Sequence, residues 1–348
     1  MSVTDCPRAA AGPAATGNRA LDGAFVSPVT RRPLARAGAS QALVTDDGAE
    51  RFPIVAGDVP DLRPGAVPLT AHEVAAVDAR LDQLWESGDC GPESPRAVTP
   101  ASPRQARAFW RTVARAESGA YARWWLRGRR PYTQADSMAI YREVTDTYPN
   151  ALRRQVWVTA GGSVGTAPIE TFKRLSLDPI LELMRAEGLR SVLDFGCGWG
   201  ANIILLRQLA PDAQVWSFDA SPYRVLSARY NLERLGLAPY RLFVADGSRL
   251  PLPDGSIDLV FTTHVLEQMA EVLPAALAEI HRVARRFAVH VEPGTRFARW
   301  PHRLRVRRLG YPSDIVERTR ALGWTVREHR PAEPGWGKAP GELIVLAR

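Results

Sequence analysis

Leu193-Asp194-Phe195-Gly196-Cys197-Gly198-Trp199-Gly200 is the stretch that decides how this 348-residue chain folds. Upstream, Ser191-Val192-Leu193 is a short β-prone run that reads as a buried parallel strand. Downstream, Ala201 to Ala210 carries the apolar face of a helix. The turn between them is spaced with glycine, which reaches φ values other residues avoid and lets backbone approach a ligand, with free N–H groups at the helix start. A dinucleotide loop needs G-x-G-x-x-G to seat a pyrophosphate on that helix end. Here the spacing is G-x-G-x-G, and Asp194 precedes it. A carboxylate at the strand tip repels a pyrophosphate and attracts an ammonium group, such as that of a methionine moiety.

Further acids repeat the pattern at successive strand ends. Gln214 to Asp219 reads as a second strand closing on a carboxylate, where a bidentate hydrogen bond from Asp219 to two ribose hydroxyls is natural. Arg241 to Gly247 has the same form and puts Asp246 where it can accept from an adenine amino group. The fourth strand, Ile257 to Thr263, runs into His264-Val265-Leu266-Glu267-Gln268. Each acid taken singly reads as a helix cap or turn residue. Acids at strand ends in sequence order, with helices between them, are hard to produce by capping alone.

From about Leu175 to Arg348 the chain resembles the class I S-adenosylmethionine-dependent methyltransferases, in particular the branch that includes ubiquinone and menaquinone biosynthesis enzymes. L-D-F-G-C-G-W-G, F-D-A-S, A-D-G and L-P-L-P-D-G-S-I-D-L-V-F-T-T-H-V-L-E-Q carry the resemblance. It implies S-adenosylmethionine as cofactor, with Asp194, Phe195, Gly196 and Gly198 around the methionine, Asp219 and Ala220 at the ribose, Asp246 and Gly247 at the adenine, and Thr263 and His264 beside the sulfonium. The implied fold is α/β: a Rossmann-like, mostly parallel seven-stranded sheet with helices on both faces and the last strand antiparallel. Phe287 to Glu292 reads as the fifth strand, and Trp324 to His329 with Leu343 to Leu346 as the terminal pair. One departure is local: Val283-Ala284-Arg285-Arg286-Phe287 stands where the family often has an L-K-P-G-G turn.

Four regions are expected: a flexible tail over 1–20, a small β-rich module over 21–66, a helical cap and linker over 67–170, and the catalytic domain over 171–348. Phe52 to Leu62 resembles part of the small zinc-ribbon-derived module known as a free-standing bacterial protein and as an activator of tRNA and protein methyltransferases. Ser27-Pro28-Val29-Thr30 stands where a zinc-binding member has C-x-x-C, and Cys6, Cys90 and Cys197 are too few and too scattered for a metal site or a disulfide framework. No metal is therefore expected, and the module is expected to serve packing or dimerisation. Thr70 to Glu86 has helical apolar spacing, with Thr70 and Glu73 forming a capping box. Gly88 to Pro103 reads as a proline-punctuated linker, Gln105 to Arg130 as a second helical region, and Gly161 to Gly165 as a lid hinge or an ordinary loop. Trp110, Trp124, Trp125 and Trp157 offer more apolar surface than isolated helices can hide, so they are expected to wall an acceptor pocket or a homodimer interface.

The net charge of +8 is carried almost entirely by arginine, since Lys173 and Lys338 are the two lysines. Arg123 to Arg130 and Arg296 to Arg308 mix basic and aromatic residues, which fits either RNA binding or amphipathic helices with solvated arginines. No apolar run is long enough to span a membrane, and no signal-peptide pattern opens the chain, so cytoplasmic residence is expected. The expected activity is methyl transfer to N or O of a small molecule, with an RNA or protein methyltransferase and a catalytically silent cofactor-binding scaffold as competing classes. His264, Glu267 and Glu292 are the candidate acid–base groups at the acceptor rim, with His290 on the same strand as Glu292.

Overall fold

The computed structural model describes residues 24–38, 41–56, 58–87, 147, 151, 155–160, 163–298, 300, 303, 306–307, 310–333, 335–336 and 341–348. The expected tail, the second helical region and the arginine-tryptophan cluster at 123–130 lie outside the described residues, as do Cys6 and Cys90.

Four short strands, β1 (Leu34–Arg36), β2 (Ala42–Thr45), β3 (Arg51–Val55) and β4 (Val59–Pro60), pair antiparallel in that order. Leu34, Leu43, Phe52 and Ile54, with Phe25 before them and Leu62 after, form a buried apolar face. Ser27 is buried and its Oγ accepts the N–H groups of Val29 and Thr30, both at 3.0 Å. A hydroxyl thus closes the turn.

α1 (Ala71–Ser87) begins at the expected capping box. Thr70 Oγ1 accepts the Glu73 N–H at 3.2 Å, and Glu73 accepts the Thr70 N–H at 2.8 Å. Val77 and Leu81 on its inner face pack on Leu226 and Tyr230. After the undescribed segment, β5 (Gln155–Ala160) and β6 (Ser163–Pro168) form an antiparallel hairpin. This corrects the lid-hinge reading of Gly161 to Gly165, because Ser163, Val164 and Gly165 are paired strand residues. Ala160 pairs with Ser163, and a two-residue separation is that of a tight hairpin.

The remaining elements are α2 (Ile169–Glu187), β7 (Ser191–Phe195), α3 (Ala201–Leu209), β8 (Gln214–Asp219), α4 (Pro222–Arg234), β9 (Arg241–Val244), β10 (Ile257–Thr263), α5 (Leu273–Val283), β11 (Ala284–Glu292), α6 (Ile315–Ala321), β12 (Thr325–Ala332), β13 (Gly335–Trp336) and β14 (Gly341–Ala347). β13 adds to the hairpin beside β5. The other seven strands form one sheet in the order β12-β14-β11-β10-β7-β8-β9, with β14 antiparallel to both neighbours. This is the expected Rossmann-like architecture. Its central strands are buried on both faces, which explains their unbroken apolar runs: Leu259 and Phe261 enter one core and Val260 the other.

The fifth strand of the sheet, expected from Phe287, begins three residues earlier. β11 starts at Ala284, directly after α5, and Arg285 and Arg286 on it pair with Asp258 and Glu187. Strand order reverses between β7 and β10, so a crevice opens at the carboxyl ends of these strands, where ligands bind in open α/β sheets.

The N-terminal module extends this sheet. Leu62 donates its N–H to the Val244 carbonyl at 2.8 Å, and Asp61 forms a parallel bridge with Val244, so the chain after β4 covers the β9 edge. Phe25 stands edge-on to Trp216 and Phe243, with ring centroids 5.8 and 5.2 Å away. Arg31 donates to the Leu250 carbonyl at 2.7 Å and pairs with Glu279 at 2.9 Å.

Candidate cofactor site

Three strand ends and the turns after them enclose a cavity of about 300 Å³. The loop after β7 forms its floor. Gly196 and Cys197 donate their N–H groups to the Phe218 carbonyl of β8, at 3.1 and 2.7 Å, and Asn231 of α4 donates to the Trp199 carbonyl at 3.0 Å. Glycine is required at Gly196, whose φ is 90° and where a Cβ would lie 2.7 Å from Val265 Cγ2. At Gly247 a Cβ would lie 2.5 Å from Cζ of Phe195, a ring packed edge-on against Phe218 at 4.8 Å. These residues keep the cavity from being filled by the protein itself.

Asp219, at the tip of β8, is buried and lines the cavity. Its Oδ2 accepts the Gly198 N–H at 3.0 Å and its Oδ1 accepts the Ser221 N–H at 2.9 Å. One bond per oxygen leaves lone pairs for two ribose hydroxyls. Burial raises its pKa, with the Arg224 charge opposing.

Asp194 is fully buried beneath the loop rather than on the cavity wall. It accepts from Asn202 Nδ2 at 2.9 Å and Ser217 Oγ at 3.0 Å. Burial pushes its pKa up to about 6, against those hydrogen bonds and the Lys173 charge. Asn202 carries the effect outward: its Nδ2 also donates to Thr263 Oγ1 at 2.9 Å, and its Oδ1 is buried without a hydrogen-bond partner. An orphaned buried acceptor on a cavity wall calls for a donor from a ligand.

Asp246 does not line the cavity. β9 ends at Val244, so Asp246 sits in the following turn, where its Oδ1 accepts the N–H and hydroxyl of Ser248, both at 2.8 Å. Gly247 supplies that wall, and Phe195, Ala220, Thr263 and His264 line the cavity as expected.

His264 has φ 57°, a left-handed conformation uncommon for a non-glycine residue, held by its N–H on the Val291 carbonyl at 3.0 Å. Its Nδ1 lies 3.6 Å from Glu267 Oε2. Glu292 sits behind this turn and is not on the cavity wall; both its carboxylate oxygens are 3.1 Å from the Val265 N–H. Burial, with Glu267 alongside, pushes Glu292 up to about 7. His290 is buried farther down β11, with Nδ1 3.0 Å from Thr262 Oγ1, and burial lowers it to about 4. It is a neutral core residue. Burial also raises the Cys197 thiol well above its ordinary range, which leaves it a packing residue.

Gln268, the last residue of the quoted motif, also lines the cavity, as do Lys173 of α2, Asn202, Arg224 and Met269, to which no sequence motif pointed. Two signals were present. Lys173 is one of two lysines in an arginine-rich chain, and Asn202 is a lone polar residue opening an apolar helix.

Among the described residues no helix is long and apolar enough to cross a membrane. The malonyl-[acyl-carrier protein] O-methyltransferase of Laribacter hongkongensis is 39% identical over 111 residues, which are 30% of this chain and 37% of that protein. The demethylmenaquinone methyltransferase of Thermus thermophilus is 32% identical over 112 residues, 32% of this chain and 48% of that protein. The chain thus spans less than half the length of these relatives. The crystal structure of the [4+2]-cyclase SpnF aligns over 64% of this chain and 98% of its own at 19% identity and a TM-score of 0.48. Residues 193–289, from the glycine loop through β11, match the family described as methyltransferase domain, and this segment holds most of the cavity wall.

Proposed function

We propose that the chain is an S-adenosylmethionine-dependent methyltransferase that methylates N or O of a small molecule. The observation that carries this reading is the cavity at the sheet's switch point, where a buried carboxylate, Asp219, keeps acceptor capacity beside walls that require glycine at Gly196 and Gly247. Asp219 would hold the ribose, Gly196 to Gly198 and Asn202 the methionine end, and Gly247 with Phe195 the adenine end. S-adenosylmethionine, when bound, supplies an activated methyl group on a sulfonium.

The chain's own contribution is alignment, exclusion of water and proton handling. His264, which lines the cavity, and its neighbour Glu267 stand at the end of β10, with Glu292 behind them. An imidazole on the cavity wall can take the proton that an amine or hydroxyl acceptor releases. That supports N or O as the methylated atom. The β1 to β4 unit is read as a metal-free relative of the zinc-ribbon-derived activator module, fused to its own catalytic domain; Ser27 in the place of a thiolate supports this. Incubation of the chain with S-adenosylmethionine and a panel of amines, amino acids and phenols, read by mass spectrometry for a gain of CH₂, tests the reading. A CH₂-bearing small product is expected; absence of any adenosyl-ligand binding by calorimetry would refute it.

A further inference from the structure

We infer that Lys173 binds the carboxylate of the cofactor's amino-acid end, completing a zwitterion-recognition site; this rests on the proposed function. An amino-acid head carries an ammonium and a carboxylate about one carbon apart, and both must be matched where water is displaced. The structure places complementary groups side by side. For the ammonium there is Asn202 Oδ1, buried and unpartnered, with Asp194 behind it. The amide cannot be turned round without loss, because Nδ2 already donates to Asp194 and to Thr263 Oγ1.

For the carboxylate the cavity offers Lys173 and Arg224, and their positions separate them. Arg224 stands on the Asp219 side, as the charge that most lowers the pKa of that ribose carboxylate. Lys173 stands at the other end, with its ammonium 3.4 Å from Thr263 Oγ1, the oxygen that also receives Asn202. Among the described residues that long contact is its hydrogen bond, and it makes no ion pair. Asp194 and Glu292 act on it through space while burial lowers its pKa. A buried cation one hydroxyl away from an orphaned acceptor fits the opposite charges of an amino-acid head. Lysine suits the position because its ammonium is a compact point charge on a flexible stem.

The test uses the full chain and three probes: S-adenosylhomocysteine, its decarboxylated analogue, and 5′-methylthioadenosine, which lacks the whole amino-acid head. In calorimetry, Lys173→Met is expected to weaken S-adenosylhomocysteine about 30- to 100-fold, on the scale of a buried charge-assisted bond. The other two probes should change less than about threefold, and Lys173→Arg should keep the wild-type preference for the carboxylated ligand. Equal losses for carboxylated and decarboxylated ligands would overturn the assignment. The wild-type chain supplies an independent reading if Lys173→Met folds poorly: its affinity for S-adenosylhomocysteine should fall with rising pH below the ordinary lysine range more steeply than that for the decarboxylated analogue, which keeps an amine but has no carboxylate to pair with Lys173. Parallel pH profiles would also overturn it. Failure of all three probes to bind the wild type would instead sink the methyltransferase reading itself.

Discussion

Replacing Asp219 by Asn removes one charge and almost no volume, and the structure allows its effect to be worked out. Each carboxylate oxygen already accepts one backbone N–H, from Gly198 at 3.0 Å and Ser221 at 2.9 Å. An amide in that place must turn its NH₂ toward one of those N–H groups, so it keeps one loop bond and one open acceptor. The ribose then loses one charge-assisted bond entirely and the charge on the other. At about 1.5 to 3 kcal/mol for a bond to a charged group, the variant should bind S-adenosylhomocysteine roughly 15- to 150-fold more weakly. A ligand cycle isolates the ribose part from loop disorder. The 2′-deoxy analogue should bind the wild type more weakly than S-adenosylhomocysteine, and the variant should discriminate much less between the two. Isothermal titration at fixed salt measures all four affinities. Equal discrimination by both proteins would refute the reasoning and leave Asp219 as a loop anchor alone.

Gly247→Ala puts a methyl 2.5 Å from Cζ of Phe195; overpacking should lower stability by about 1 to 3 kcal/mol and displace the ring into the cavity, weakening adenosyl ligands, as thermal melts with and without S-adenosylhomocysteine will report. Glu292 has a folded-state pKa raised to about 7, so its stabilising contribution is present in acid and lost as pH rises through 7; Glu292→Gln should leave stability in denaturant titrations unchanged near pH 4 and raise it at pH 8 by on the order of 3 kcal/mol. Leu43, fully buried in the module, sits in the core shared with the large sheet; Leu43→Ala should destabilise the whole chain by about 2 to 5 kcal/mol in a single transition, and a separate early transition would show the module to be independent.

The sheet was legible because its strands announce themselves locally. Apolar runs ending in glycine or aspartate need no long-range information, and β7, β8 and β10 follow the quoted motifs within a residue or two. Asp219 was readable because it is the last residue of β8, where a side chain at the sheet edge faces the crevice. Asp246 was misplaced for the converse reason: β9 stops at Val244, and two more residues carry the carboxylate into a turn that it closes on Ser248. Glu292 faces the back of the His264 turn because that turn, in its left-handed conformation, folds over the β11 end. Lys173 and Asn202 join the site through packing of α2 and α3 over the strand ends, a relation no local pattern encodes. The 155–168 hairpin did carry a local signal, the β-prone run Val156-Trp157-Val158-Thr159 shortly before a Gly-Gly pair.

The seam between Leu62 and Val244 joins segments that emerge from the ribosome about 180 residues apart, roughly ten seconds or more of synthesis. During that interval Phe25, Leu43 and Phe52 have no Trp216 or Phe243 to cover them, so the nascent module is an aggregation hazard until β9 arrives. Once the seam has formed the hazard is reversed: β9 no longer offers an open row of backbone groups on which another chain could template. Tethering also fixes the ratio of module to catalytic domain at one to one and holds the module at a high effective concentration. Supply of a separate subunit then has no say in how much of the sheet is capped.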